Sequence, residues 1–162
     1  MKKLLLYILI ATMILSFVAC KNPEETPEEG EKVYTFTTGK TQIAVDAEAA
    51  PVLEALGEWS SYDESASCAF EGLDKIYTYD GFEITTYPLN GKDYIFLIDF
   101  YADTVATEEG IRIGNTKEAV LATYGTPDKE TENALIYNGK GMYLQFLFTD
   151  GAVANIQYFK QT

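Results

Sequence analysis

The stretch IRIGNTKEAVLATYGTP at residues 111–127 constrains the fold more than any other part of the chain. Ile111 and Ile113 alternate as in a strand. Asn115 is placed to cap a helix, with Glu118 three residues on at the capping-box spacing. Ala119, Val120 and Tyr124 recur at helical spacing. Gly125 then stands where helices turn left-handed, and Pro127 stops any continuation. The unit recurs at an offset of 68 (111 − 43), which sets Ile43 on Ile111 and Gly57 on Gly125. Pro51, tolerated only in a first turn, limits the earlier helix to residues 49–56.

Strand patterns follow each helix, at 75–79, 82–88 and 92–101, then at 134–138, 142–148 and 152–160. Here the offset is 60 (142 − 82), so the first copy carries eight extra residues (68 − 60), within residues 58–73. Leu89-Asn90-Gly91 and Thr149-Asp150-Gly151 occupy equivalent turns. Glycine in third place predicts a three-residue loop closed by a left-handed bulge. That register pairs Pro88 with Lys92, Ile84 with Phe96 and Phe82 with Ile98, and in the second hairpin Leu144 with Ile156 and Phe146 with Ala154. It collects Phe82, Ile84, Tyr94, Phe96 and Ile98 on one face with Met142, Leu144, Phe146, Ala154, Ile156 and Tyr158. The opposite face holds Tyr87, Ile95, Leu97, Tyr143, Gln145 and Leu147 among polar residues. The expected fold is α+β: an antiparallel sheet with two short helices packed on one face, built from two helix-plus-hairpin repeats (41–101 and 109–160).

The N-terminus stands apart. Lys2-Lys3, the apolar run 4–18 and Ala19-Cys20 have the form of a bacterial lipoprotein signal peptide. An uncleaved anchor and an ordinary secretory signal are the alternatives, and the run is short for the roughly 20 residues of a spanning helix. Cleavage after residue 19 leaves Cys20 as the lipidated first residue. Residues 20–32 then comprise Cys20 and an acidic tether, 21–32, with two prolines, five glutamates and no apolar side chain. A single domain is expected at 33–162, opening with a strand at 33–38 and a Gly39-Lys40 turn. The chain has 12 basic and 25 acidic residues and a net charge of −13. Loss of Lys2 and Lys3 gives 10 − 25 = −15. Such acidity disfavours nucleic acid as a partner. Cys68 would be the one remaining thiol, so no intramolecular disulfide is expected.

Ile111, Gly114, Val120, Tyr124, Gly125 and Pro127, followed by a hairpin, resemble the unit of bacterial lipoproteins of the SmpA/OmlA (outer-membrane assembly) group. They also resemble the tandem repeat of the β-lactamase inhibitor protein. In the first copy Asp46 stands where that pattern has glycine, and Glu58-Trp59 replace Thr126-Pro127. The stretch CAFEGLDKIYTYDGFEI at 68–84, with TEEG at 107–110, is similar to lipoproteins of Gram-positive anaerobes. The resemblances imply an envelope location and a repeat architecture, and bring no catalytic or contact residues.

The chain has no histidine. That removes Ser-His and Cys-His nucleophilic systems and the commonest transition-metal ligand. Cys68 has acidic neighbours in ESASCAFEGLD and lacks the positive setting of a reactive thiolate, so it is expected to be a small buried residue. Glu108-Glu109 and Asp99 with Asp103 are expected to be solvated acids, and no calcium loop is present. No catalytic residue, metal or cofactor is assigned. The tyrosines are the remaining signal, because tyrosine joins an apolar body to a hydrogen-bonding tip. The expectation is a non-catalytic, membrane-anchored extracytoplasmic lipoprotein that binds a cell-envelope protein or peptide through Tyr87, Leu97, Tyr143, Gln145 and Leu147 on the open sheet face. The alternative is a small-ligand or sensing role for a pocket near residues 58–73, with Trp59, Tyr62 and Phe70.

Overall fold

Residues rich in β-branched and aromatic side chains form strands wherever their alternation is sustained, and that alternation governs this chain. The computed structural model describes residues 32–161, with 48% strand against 12% helix. The expected signal segment 1–19, Cys20 and most of the expected tether 20–32 lie outside the described residues. In chain order the elements are β1 (Phe36–Thr38), β2 (Thr41–Ile43), α1 (Ala49–Leu56), β3 (Ser61–Ala66), β4 (Leu73–Thr78), β5 (Phe82–Leu89) and β6 (Lys92–Phe100). There follow α2 (Lys117–Tyr124), β7 (Lys129–Thr131), β8 (Ala134–Gly139), β9 (Met142–Thr149) and β10 (Ala152–Lys160). Among the described residues no helix is long and apolar enough to cross a membrane.

This corrects the expected architecture. Eight antiparallel strands form one large sheet in the order β3-β4-β5-β6-β10-β9-β8-β7, and β1-β2 form a separate hairpin. The chain is therefore a large-sheet protein, and not an α+β fold made of two helix-plus-hairpin repeats. Each side of the β6–β10 junction contributes four strands. The eight-residue helices are too short to cover such a sheet: α1 buries Ala49, and α2 buries Val120 and Tyr124. Phe36 and Ile43 of the small hairpin, Tyr34 and Ile111 complete the core against Phe82, Phe100, Leu144 and Phe146. Phe36 sits edge-on to Phe82 and Phe100, with centroids 5.0 and 4.5 Å away.

The hairpin register also differs from the expected one. Leu89 pairs with Lys92 and Thr149 with Ala152, so both loops have two residues. Asn90 and Gly91 have φ of 52° and 76°, and Asp150 and Gly151 have 52° and 79°. Positive φ at both positions is the type I′ turn, whose twist matches that of the strands. A one-residue bulge then follows, at Phe96 in β6 and at Ala154 in β10. Each bulge absorbs one residue and restores the face parity that the shorter turn would have inverted. Ile84 thus pairs with Ile98, Phe82 with Phe100 and Leu144 with Tyr158. Tyr94, Phe96 and Ala154 leave the expected core face, and Ile95 and Val153 enter the core.

The bulges also fix where the helices begin. Beyond them, β6 and β10 exchange each other for the segments that precede the helices. Asp46 N donates to Ile95 O and Ile95 N to Ala47 O, while Gly114 N donates to Val153 O and Val153 N to Asn115 O. Asp46 and Gly114 make these corners with φ of 68° and 88°. The cap of α2 is Thr116, one residue after the expected Asn115; its hydroxyl accepts from Ala119 N. Asn115 instead accepts from Arg112 N through its side chain.

Candidate functional site

Cross-strand pairing puts four of the five expected binding residues on one half-exposed face. Thr85, Leu97, Phe159 and Tyr143 form one row, each paired with the next across β5, β6, β10 and β9. Glu83, Asp99, Gln157 and Gln145 form the row beside it, and Leu147 pairs with Asn155. Tyr87 shares the face but is 2% exposed, so it is not an available contact. The β3–β4 connection folds over it: the Phe70 ring lies 4.5 Å away, and Tyr94 and Phe96 flank it. Its hydroxyl donates to Asp46, and Lys160 Nζ sits 5.5 Å over its ring. Phe159, 5.1 Å from Tyr143, is the contact that sequence reasoning missed.

The carboxylates of the polar row are hydrogen-bonded within the sheet: Glu83 accepts from Thr78 and Asp99 from Asn155. Asp99, expected to be a solvated acid, is instead half-buried and faces Glu83 across the strands. Burial raises the Asp99 pKa, and Glu83 pushes the same way against hydrogen bonds from Asn155 and Gln157. Asn155 also donates to Phe100 O, tying β10 to the end of β6. Glu108 and Glu109 are likewise engaged, as acceptors for Thr37 and Tyr124. Cys68 is exposed, contrary to the expected burial, because the β3–β4 turn projects it outward while Phe70 turns in. Among the described residues no group of three or more His, Cys, Asp or Glu side chains is placed to hold a metal ion.

A second site lies on the core side, at the C-terminal end of α1. Gly57, with φ of 79°, ends the helix and its N–H closes on Leu53 O. The chain then runs past Glu58 and Trp59 into β3. Leu53, Glu54, Gly57, Glu58, Trp59 and Tyr77 line a groove of 490 Å³. Trp59 is 45% and Tyr62 40% exposed, and both rings lean on Tyr77 with centroids 5.1 Å away. Two of the three aromatic residues expected near the insertion therefore meet here, while Phe70 is spent on Tyr87.

The electrostatics of the groove have one sign. Glu54 and Glu58 line it, the last turn of α1 carries no basic residue, and the carbonyl end of a helix is itself partly negative. Glu64 of β3 accepts from Tyr62, which pushes the phenol up to about 12. The nearby Lys75 is held by Asp93 at 2.6 Å. Tyr77, Leu53 and Glu54 carried no sequence signal, because they come from β4 and α1.

The other half of the sheet offers a contrast. Leu121, Gly125, Thr126, Pro127 and Glu130 line a smaller groove of 360 Å³ after α2. Pro127 stands there where Trp59 stands here, and Lys117 neutralises Glu130 at 2.8 Å. Comparison of the chain with models of known families, with curated proteins and with solved structures returns no match.

Proposed function

We propose that this chain is a lipoprotein tethered to the extracytoplasmic face of the cell membrane through Cys20, and that it binds a ligand without transforming it. The groove at Trp59 is the binding site in this reading. One observation carries it: the largest exposed aromatic of the domain stands at the mouth of a concave, acid-lined groove whose counterpart across the sheet has proline. Large exposed apolar side chains beside a cavity are costly for a soluble domain unless something covers them. The acidic tether would keep the domain clear of the membrane surface, with its groove open to the envelope.

The single tryptophan makes the test direct, since intrinsic emission reports on Trp59 alone. Envelope fractions and peptide libraries are screened for a shift in that emission, and hits are measured by calorimetry. Trp59→Ala and Leu53→Ala should lose binding, and Leu97→Ala/Tyr143→Ala should keep it. The reverse pattern supports the second reading, in which a protein partner docks on the open face; the continuous row of Leu97, Phe159 and Tyr143 favours it. Hits unaffected by either pair would refute both sites. The tether has its own check, since a Cys20→Ala protein with unchanged mass and membrane retention refutes lipidation.

A further inference from the structure

We propose that the free edge of β3 receives an extended, positively charged peptide segment as a ninth strand, laying a lysine or arginine side chain against the Trp59 groove. The proposal rests on the groove reading above and names its ligand class. β3 is a terminal strand of the large sheet, six residues long, with every residue exposed. In antiparallel pairs, alternate residues turn their N–H and C=O toward the partner strand. Ser67 N donates to Gly72 O. Counting back by twos, Ser65, Asp63 and Ser61 face β4, so Tyr62, Glu64 and Ala66 present theirs to the open side. An edge of that length is a template for strand addition.

The side chains on this edge select the occupant. Tyr62 pairs with Tyr77, and Glu64 with Lys75, so both lie on the face that carries the groove. A strand added beside them would carry alternate side chains past the Tyr62 and Trp59 rings and toward Glu54, Glu58 and Glu64. Aromatic faces and carboxylates together favour a cation. A second copy is disfavoured, since pairing β3 with itself sets Asp63 and Glu64 against their own kind. The chain's own residues 21–32 are disfavoured too, with five glutamates and two prolines that cannot join a ladder. A basic partner meets neither obstacle.

The test uses the full chain in detergent and three labelled peptides. One alternates threonine and lysine, one has proline in place of the threonines at the same charge, and one alternates threonine and glutamate. The first should bind, shift Trp59 emission, and weaken as salt shortens the screening length. The proline peptide should bind about tenfold more weakly, because it cannot form the ladder. Glu64→Pro and Ala66→Pro should each cost about tenfold for the first peptide while leaving the thermal melt near wild type, since the lost N–H groups are outward. Glu64→Gln should cost less than Glu64→Pro. Equal binding of the two basic peptides overturns strand addition, as does tetramethylammonium matching the peptide in affinity; the groove reading survives both. Peptide affinity unchanged by Trp59→Ala, with no response of Trp59 emission to any cation, overturns the groove reading itself.

Discussion

Asp46 makes a left-handed corner that glycine makes elsewhere, and replacing it separates backbone cost from side-chain gain. Its φ of 68° costs a non-glycine residue on the order of 1 kcal/mol, less for aspartate than for alanine. Against this, its carboxylate accepts from the buried Tyr87 hydroxyl and pairs with Lys160 at 2.9 Å. A hydrogen bond to a charged group contributes about 1.5–3 kcal/mol. The ion pair, with the Asp46 side chain 54% exposed, adds about 0–1 kcal/mol. Asp46→Ala keeps the strain and loses both contacts, for a loss of about 3 kcal/mol. Asp46→Gly relieves the strain and should lose about 1–2 kcal/mol. Asp46→Asn, which tolerates the corner and retains an acceptor, should lose about 1 kcal/mol. Tyr87→Phe combined with Asp46→Gly should fall short of the sum of the single changes by about 1 kcal/mol, since each removes the other's partner. Urea unfolding followed by Trp59 emission measures the five variants, Tyr87→Phe alone included, against wild type. Burial of Asp46 acts to raise its pKa, but hydrogen bonds from Tyr87 and Lys160 outweigh it and the folded value is lowered. Its contribution is therefore complete above the unfolded value of about 3.9 and is lost as pH falls through the folded one. Asp46→Gly should flatten that acid limb. Refutation is simple: an Asp46→Gly protein more stable than wild type would put the side-chain contacts below the strain of the corner, about 1 kcal/mol, and strict additivity with Tyr87→Phe would remove the Tyr87 contact from the account.

Three further outcomes are expected. Phe36→Ala should destabilise by about 3–5 kcal/mol in the same assay, because the ring is 1% exposed between Phe82 and Phe100; a loss under about 1 kcal/mol would show the small hairpin to be a loose appendage. Thr116→Ala should cost about 1 kcal/mol and more than Asn115→Ala, and the opposite order would return the cap to Asn115. Tyr137 is pushed up by burial to about 12, burial also raises Tyr158, and Tyr124 is raised by burial and by Glu109. A raised tyrosine stabilises below the unfolded pKa of about 10 and loses that contribution as pH climbs toward the folded value. Phenolate absorbance at high pH should thus rise in step with loss of circular dichroism, and full ionisation in a folded domain would refute the packing of these rings.

The hairpin strands were legible because alternation and Asn-Gly or Asp-Gly turns are local signals. The helix spans were legible from Pro51, Gly57 and Gly125. The register was not, because a two-residue turn followed by a bulge keeps the same face parity as a three-residue turn, and only the structure tells them apart. Ser61–Ala66 reads SYDESA, with no apolar alternation, so the edge strand was invisible: its pairing depends on β4. The share of sheet was underestimated for that reason, since β3 and β7 are the polar outer strands. Tyr87 was placed on the correct face, yet its burial comes from Phe70, seventeen residues away (87 − 70) in a turn whose path no local pattern dictates. The groove was half legible. Trp59 and Tyr62 stood out, while Leu53, Glu54 and Tyr77 are brought to them by the fold.

The two ends of the large sheet face the same hazard and meet it differently. β7 is three residues long and carries Lys129, both of which blunt an edge against added strands. The neighbouring groove is smaller, has Pro127 in place of an aromatic, and has its Glu130 paired with Lys117. β3 is twice that length, lacks lysine and proline, and borders an uncompensated acidic groove with an exposed tryptophan. Acidity alone protects β3 from its own kind, because like charges oppose self-pairing while leaving a basic strand unopposed. An edge guarded only by charge is selective, where one guarded by length and lysine is closed. That difference, arising within one sheet of one chain, is the ground on which the proposed binding surface is assigned to β3 and the helix end beside it.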